Sequence, residues 1–188
     1  WGAWILMAFG AAAGLWLIGG LRGDTLFLKR LAWPAFFLAA AAAGYSAFLF
    51  NQAQGREFWR SGLSVWQFLV AAVLAGAASL MLAALVQGAE PAAVDALRTT
   101  LAIALVAEGL VLFAELGGSH RTQGAARAAR LLTHGGLSRR FWGGAVGAGI
   151  VLPLVLLPAG AAGAALASLL ALGGLWLYES LWVRAGQS

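Results

Sequence analysis

Long apolar runs separated by short polar breaks set the pattern of this chain. Apolar residues fill six segments, at about 1–20, 31–52, 65–87, 98–117, 141–158 and 162–183. A membrane-spanning helix needs roughly 20 mostly apolar residues to cross a hydrocarbon core about 30 Å thick, and these segments have about that length. Alternating strand-like patterns are absent, so a β-barrel is excluded. The pattern predicts an all-α fold: a polytopic transmembrane helix bundle with about six spanning helices, residues 1–188 forming a single transmembrane domain. The tight, uncharged "PAGAAG" between the last two segments predicts an antiparallel hairpin. Trp1, Trp4, Trp33, Trp59, Trp66, Trp142 and Trp182 fall at or near segment ends, where amphipathic rings favour the headgroup layer. Small residues at four-residue spacing, Gly143 and Gly147 in the fifth segment and Gly160, Ala164 and Ser168 around the sixth, are expected at close helix contacts.

Composition agrees with this class. Hydrophobic residues make up 62% of the chain and charged residues 10%, whereas a soluble domain carries about a quarter charged residues. There is no cysteine, which excludes thiolate-held iron–sulfur clusters, sulfur-bound zinc and disulfides. The two histidines, His120 and His134, share one polar loop, so no haem held between spanning helices is expected. No metal site is expected either. The chain opens at Trp1, already inside an apolar run and with no charged region or cleavage site before it, unlike a signal peptide. We therefore expect the C-terminal part of a longer membrane subunit.

The net charge of +5 reads as topology, with membrane lipid as the surroundings and no nucleic acid as a partner. One side of the bundle carries Arg22, Lys29, Arg30 and Arg98. The other carries Arg56, Arg60, Arg121, Arg127, Arg130, Arg139, Arg140 and Arg184. Positive residues favour the cytoplasm, which places this second, basic side there, together with the loop between the fourth and fifth segments. The centre of that loop, Ala125 to Leu132, is a candidate short basic interfacial helix. It reads equally as an arginine-rich cytoplasmic loop or as a docking surface for a soluble partner.

Ionisable groups inside a span cost several kcal/mol and are functional candidates by default. Glu108 lies near mid-membrane and Glu115 nearer the basic side. Seven residues apart, they share a helix face and are separated by about 10 Å at 1.5 Å rise per residue. They suit a proton relay, or packing against polar groups of neighbouring helices. Tyr45 and Gln52, also seven apart, end the second segment on the basic side. Trp66 and Gln67 begin the third there, and Tyr178 and Glu179 end the sixth. By segment position, Tyr45, Gln67 and Glu115 fall at similar depth, and the opposite half is nearly all Ala, Leu, Gly and Val. Any ligand site in the membrane is expected in the basic-side half. Tyrosine, amide and carboxylate groups there suit a quinone head, which needs hydrogen-bond donors and a proton route. They also suit a proton-coupled transporter, and a non-redox membrane anchor is a third reading.

Three stretches carry a family resemblance. They are "WGAWILMAFGA" at the start, "YSAFLFNQAQGREFWRSGLSVWQFLVAAVLAGAAS" (45–79) and "AELGGSHRTQGAARAARLLTHGGLSRRFWGGAVGAGIVLPLVL" (114–156), the last with its "FWGGAVGAGIVLP" run. In this order they resemble the membrane subunits of the polysulfide reductase, NrfD-like family. The resemblance implies a quinone- or quinol-reactive subunit of a multi-subunit oxidoreductase. Such a subunit exchanges electrons between the membrane quinone pool (ubiquinone or menaquinone) and an iron–sulfur partner subunit. That partner connects to a catalytic subunit, in many cases a molybdopterin enzyme. The chain itself carries no haem or cluster and no catalytic residue. The implied location is a bacterial or archaeal cytoplasmic membrane. The family also has two helices ahead of the "WGAW" stretch. Tyr45 matches a tyrosine near the quinone head, and Gln67 stands where related sequences often carry histidine. Glu108 resembles an acidic position in proposed proton paths. The expectation is that Tyr45, Gln67 and Gln52 bind quinone and that Glu108 and Glu115 transfer protons.

Overall fold

A computed structural model describes residues 2–52, 62–117 and 123–187. Trp1, Trp59, the arginines at 56, 60 and 121 and His120 lie outside the described residues. Helix α1 spans Gly2–Arg22, α2 Thr25–Asn51, α3 Ser64–Gln87, α4 Pro91–Gly117 and α5 Gln123–Thr133. A π-helical segment, Arg140–Val151, runs directly into the short α6, Leu152–Leu156, and α7 spans Gly160–Ala185. Among the described residues there is no strand.

Five of these helices are long and apolar enough to cross a membrane: α1, α2, α3, α4 and α7. The sixth apolar segment is the shorter combined helix Arg140–Leu156. The chain is therefore an all-α, multi-pass membrane bundle.

The helices outrun the apolar segments at two N-termini, because hydropathy marks the hydrocarbon layer whereas caps mark the helix. α2 begins at Thr25 rather than near residue 31. The Asp24 side chain accepts a 2.9 Å hydrogen bond from the Phe27 backbone N–H, satisfying a donor that helix geometry leaves free. Lys29 and Arg30 then ride on the first turns. Pro34 lies inside α2, where it leaves one carbonyl without its helical donor, yet the helix runs on to Asn51. α4 begins at Pro91 rather than near 98. Proline is suited to a first helical position because the N–H it lacks has no intrahelical partner there. The preceding turn is closed by Gly88, whose φ of 66° caps α3 in the left-handed region.

α1 packs on α2, and α2 on α3; α3 lies against both α4 and α7, and α7 against the π-helical segment and α6. Leu74, Leu101, Leu105, Leu112, Phe141 and Leu181 form the buried centre between α3, α4, the π segment and α7. Water is not the alternative environment for these faces, since lipid tails are as apolar as leucine. Close van der Waals fit and interhelical hydrogen bonds must therefore hold the bundle together.

The tightest fit is between Gly149 of the π segment and Gly174 of α7. A Cβ on either glycine would overlap the other's backbone. Gly144, five residues before Gly149, meets the side chain of Leu177 in the same way. The contact glycines are thus Gly144 and Gly149, not the expected Gly143 and Gly147. An added Cβ on Gly143 would meet nothing within 4 Å, and one on Gly147 would meet only the carbonyl of Trp142 in its own segment, at 3.1 Å. The cause is the winding. A π-helix closes i→i+5 bonds, as when Leu152 N–H reaches Gly147 O, so positions five apart share a face. The π winding ends where Pro153 enters, within the first turn of α6.

The expected helix around Ala125–Leu132 is present as α5. Ala125, Ala128, Ala129 and Leu132 are buried, while Arg127 and Arg130 are exposed. Its apolar face is occupied by α7 and the π segment.

Candidate functional site: a buried polar seam

Two hydrogen-bonded pairs run through the otherwise apolar centre. In the first turn of α3, Gln67 Nε2 donates to Glu108 Oε1 of α4 at 2.8 Å. Farther along α4, Glu115 Oε2 accepts from the Tyr178 hydroxyl of α7 at 3.4 Å. All four side chains are buried: Gln67 is 4% exposed, Glu108 3%, Glu115 7% and Tyr178 4%. Burial of this depth demands partners, because an amide or hydroxyl left without one costs about 1–3 kcal/mol in proteins.

Each pair follows from helix geometry. The seven-residue spacing puts both carboxyl groups on the inner face of α4, Glu108 toward α3 and Glu115 toward α7. Depth estimated from segment ends set Gln67 level with Glu115, yet Gln67 reaches Glu108. The ends of the two helices are therefore not level: the first turn of α3 lies opposite a deeper part of α4.

Within the Gln67–Glu108 pair, Gln67 Oε1 and Glu108 Oε2 have no hydrogen-bond partner among the described residues. Glu115 and Glu179 lie near enough to Glu108 to act on it electrostatically. Beside the pairs is a small cavity with room for about one water molecule. Its lining includes Leu74, Glu108, Ala145, Gly149, Ala171 and Tyr178. Close approach of Gly149 to Gly174 brings the π segment onto α7 at this point.

Aromatic packing closes the basic end of the seam. Phe50 of α2 stacks on Phe68 of α3 with ring centroids 5.4 Å apart. Trp182 of α7 meets Phe50 edge-on at 5.3 Å and Phe68 at 6.4 Å. Such contacts add about 0.5–1.5 kcal/mol each beyond burial, and they tie the end of α2 to α3 and α7.

The structure places Tyr45 and Gln52 apart from the two pairs. Tyr45 is half-buried, and its ring covers Gly2 of α1; a Cβ on Gly2 would overlap it. Gly44, beside it, faces Val65 of α3, two residues before Gln67. Gln52 is exposed and caps the end of α2. Gln67, Glu108 and Glu115 thus gather at the centre, while Tyr45 sits on the adjoining α1–α2 pair. Tyr178 is absent from the set of site residues chosen from the sequence. Its signal was there: a lone tyrosine about two turns from the end of the last span, at the end of the bundle where α4 carries Glu115. Among the described residues no group of three or more His, Cys, Asp or Glu is arranged to hold a metal ion.

A family model described as polysulphide reductase, NrfD, matches residues 3–187. No curated protein and no solved structure matches the chain.

Proposed function

The chain belongs to the polysulphide reductase, NrfD family, and from that premise we propose that it exchanges electrons between the membrane quinone pool and an iron–sulfur partner subunit. The family is one of membrane subunits of quinone-linked oxidoreductases. The observation that carries the reading is the buried seam Gln67–Glu108 and Tyr178–Glu115 in a bundle that is otherwise apolar.

The residues present suit a quinone. Tyr45 offers a hydroxyl and Gln67 an amide, on adjoining helix pairs at the same end of the bundle. Phe48 and Leu49, which flank this part of α2, are 63% and 50% exposed and offer an apolar approach for an isoprenoid tail from the lipid. A bound quinone supplies the exchange of electrons coupled to protons. Tyr45 holds a carbonyl oxygen of the head by donating its O–H. Gln67 has a second amide hydrogen besides the one given to Glu108, and this hydrogen is its contribution. Gln52, at the exposed end of α2, borders the entrance. Glu115 and Glu108 accept or return the protons that balance the electrons. The iron–sulfur subunit, and through it a molybdopterin catalytic subunit, docks on the basic side. That side faces the cytoplasm of a bacterium or archaeon.

The experiment is quinol oxidation by the purified complex carrying Tyr45→Phe. Turnover should fall and the KM for quinol should rise several-fold, since a hydrogen bond of about 1 kcal/mol is lost. Unchanged turnover and KM would remove Tyr45 from the site. A proton-coupled transporter is the competing reading, and the irregular π segment beside a buried carboxylate favours it. Co-purification of iron–sulfur or molybdenum proteins with the chain would exclude it.

A further inference from the structure

The two buried pairs stop short of each other. Glu108 Oε2 has no hydrogen-bond partner among the described residues, and the Tyr178 oxygen, having donated its hydrogen to Glu115, keeps lone pairs to accept with. Glu108 and Tyr178 both line the one-water cavity, and its other walls are Leu74, Leu112, Ile150, Leu175 and small residues of the π segment and α7. An internal water needs room of about one probe sphere and two to four polar partners, and here a carboxylate oxygen and a phenol oxygen supply two acceptors for its two hydrogens.

We propose that this cavity is an internal water site that joins the two pairs into one chain, Gln67–Glu108–water–Tyr178–Glu115. Tyr178 is the relay residue. The water donates one hydrogen to Glu108 Oε2 and the other to the Tyr178 oxygen. For transfer toward Glu115, Glu108 carries its proton on Oε2 and gives it to the water, as the water passes one to the Tyr178 oxygen and the Tyr178 O–H passes its own to Glu115 Oε2, the direction in which that hydroxyl donates. One O–H bond breaks at Glu108 and one forms at Glu115, while the phenol and the water end as they began. Gln67 stays fixed, its amide holding Glu108 Oε1. The π segment makes the site possible, because the contact of Gly149 with Gly174 brings Ala145 and Gly149 against α7, where larger side chains would fill the space. The direction of use rests on the quinone reading above; the water site itself does not.

The test uses the intact complex in two ways. First, a cryo-electron-microscopy map detailed enough to show ordered waters should place one within hydrogen-bond distance of both Glu108 Oε2 and the Tyr178 hydroxyl. A dry cavity in a map that shows other internal waters overturns the proposal. Second, infrared difference spectra on exchange from ordinary to heavy water should contain a Glu108 carboxyl band, identified by its loss in Glu108→Gln. That band should shift in Tyr178→Phe and in the cavity-filling Ala171→Val, with turnover falling about 100-fold in each, the scale of a positioned proton-transfer group. A band unmoved in both variants overturns the site. The spectra need no quinone turnover. A shifted band alongside a Tyr45→Phe complex of normal activity would therefore leave the water site standing while the quinone assignment falls.

Discussion

The α1–α2 pair and the α3–α4–α7 group are both apolar helices of similar length, yet they solve different problems. In the pair, 11% and 6% of the spanning windows are buried, against 28%, 33% and 33% in α3, α4 and α7. Trp33, Phe36 and Phe37 of α2 pack on one another, one pair stacked and two edge-on, at 5.5–6.3 Å on an exposed surface, whereas the aromatic rings at the basic end of α3 and α7 lock helices together. In lipid an exposed leucine loses nothing, so exposure in α1 and α2 is no defect. What separates the regions is the share of buried surface and the buried hydrogen bonds between helices. The central group can hold groups in place, and the pair contributes a wall and Tyr45.

The contrast is broken most strongly at the glycine contact. Gly174→Leu should cost about 3 kcal/mol through overpacking against the π-segment backbone, read as a loss of helical signal at lower denaturant in detergent. Next comes the seam. Glu108→Leu leaves the Gln67 amide buried without its acceptor and should cost about 1–3 kcal/mol. Glu108→Gln keeps an acceptor and should assemble normally while turnover slows, so the two variants separate packing from chemistry. Loss of assembly in Glu108→Gln with no kinetic defect in what remains would make Glu108 a packing residue. The smallest effect belongs to the pair. A Cβ on Gly14 of α1 meets nothing within 4 Å. Gly14→Ala should therefore stabilise by about 0.5–1 kcal/mol through reduced chain entropy, with activity unchanged. A large loss there would show that α1 is packed as tightly as the central helices.

Much of this was legible in the sequence for a simple reason. Spanning segments announce themselves by hydropathy, and a carboxylate inside one stands out against alanine and leucine. The spacing of Glu108 and Glu115 put both on one helix face, and the structure buries that face. The starts of α2 and α4 were hidden because Lys29, Arg30 and Asp95 are helical but not apolar, and Asp95 pairs with Arg98 on the helix surface at 2.8 Å. Gln67 was set at the depth of Glu115 because depth counted from segment ends takes neighbouring ends as level, whereas the Gln67–Glu108 bond sets the start of α3 beside a deeper part of α4. Gly143 and Gly147 were chosen on an α-helical period. No hydropathy pattern reveals a change of winding, although four glycines from 143 to 149, followed by Pro153, were a hint that ordinary helical side-chain packing does not operate there.

The π winding also constrains length. Loss of one residue between Phe141 and Pro153 would permit an ordinary α-helix, a conformation with better backbone geometry and no intrinsic penalty. It would also turn Gly144 and Gly149 off their common face and swing larger neighbours toward Gly174. A single-codon deletion there, harmless to the local helix, would thus misalign everything α7 brings to the centre. In this segment the number of residues is under as much constraint as their identity.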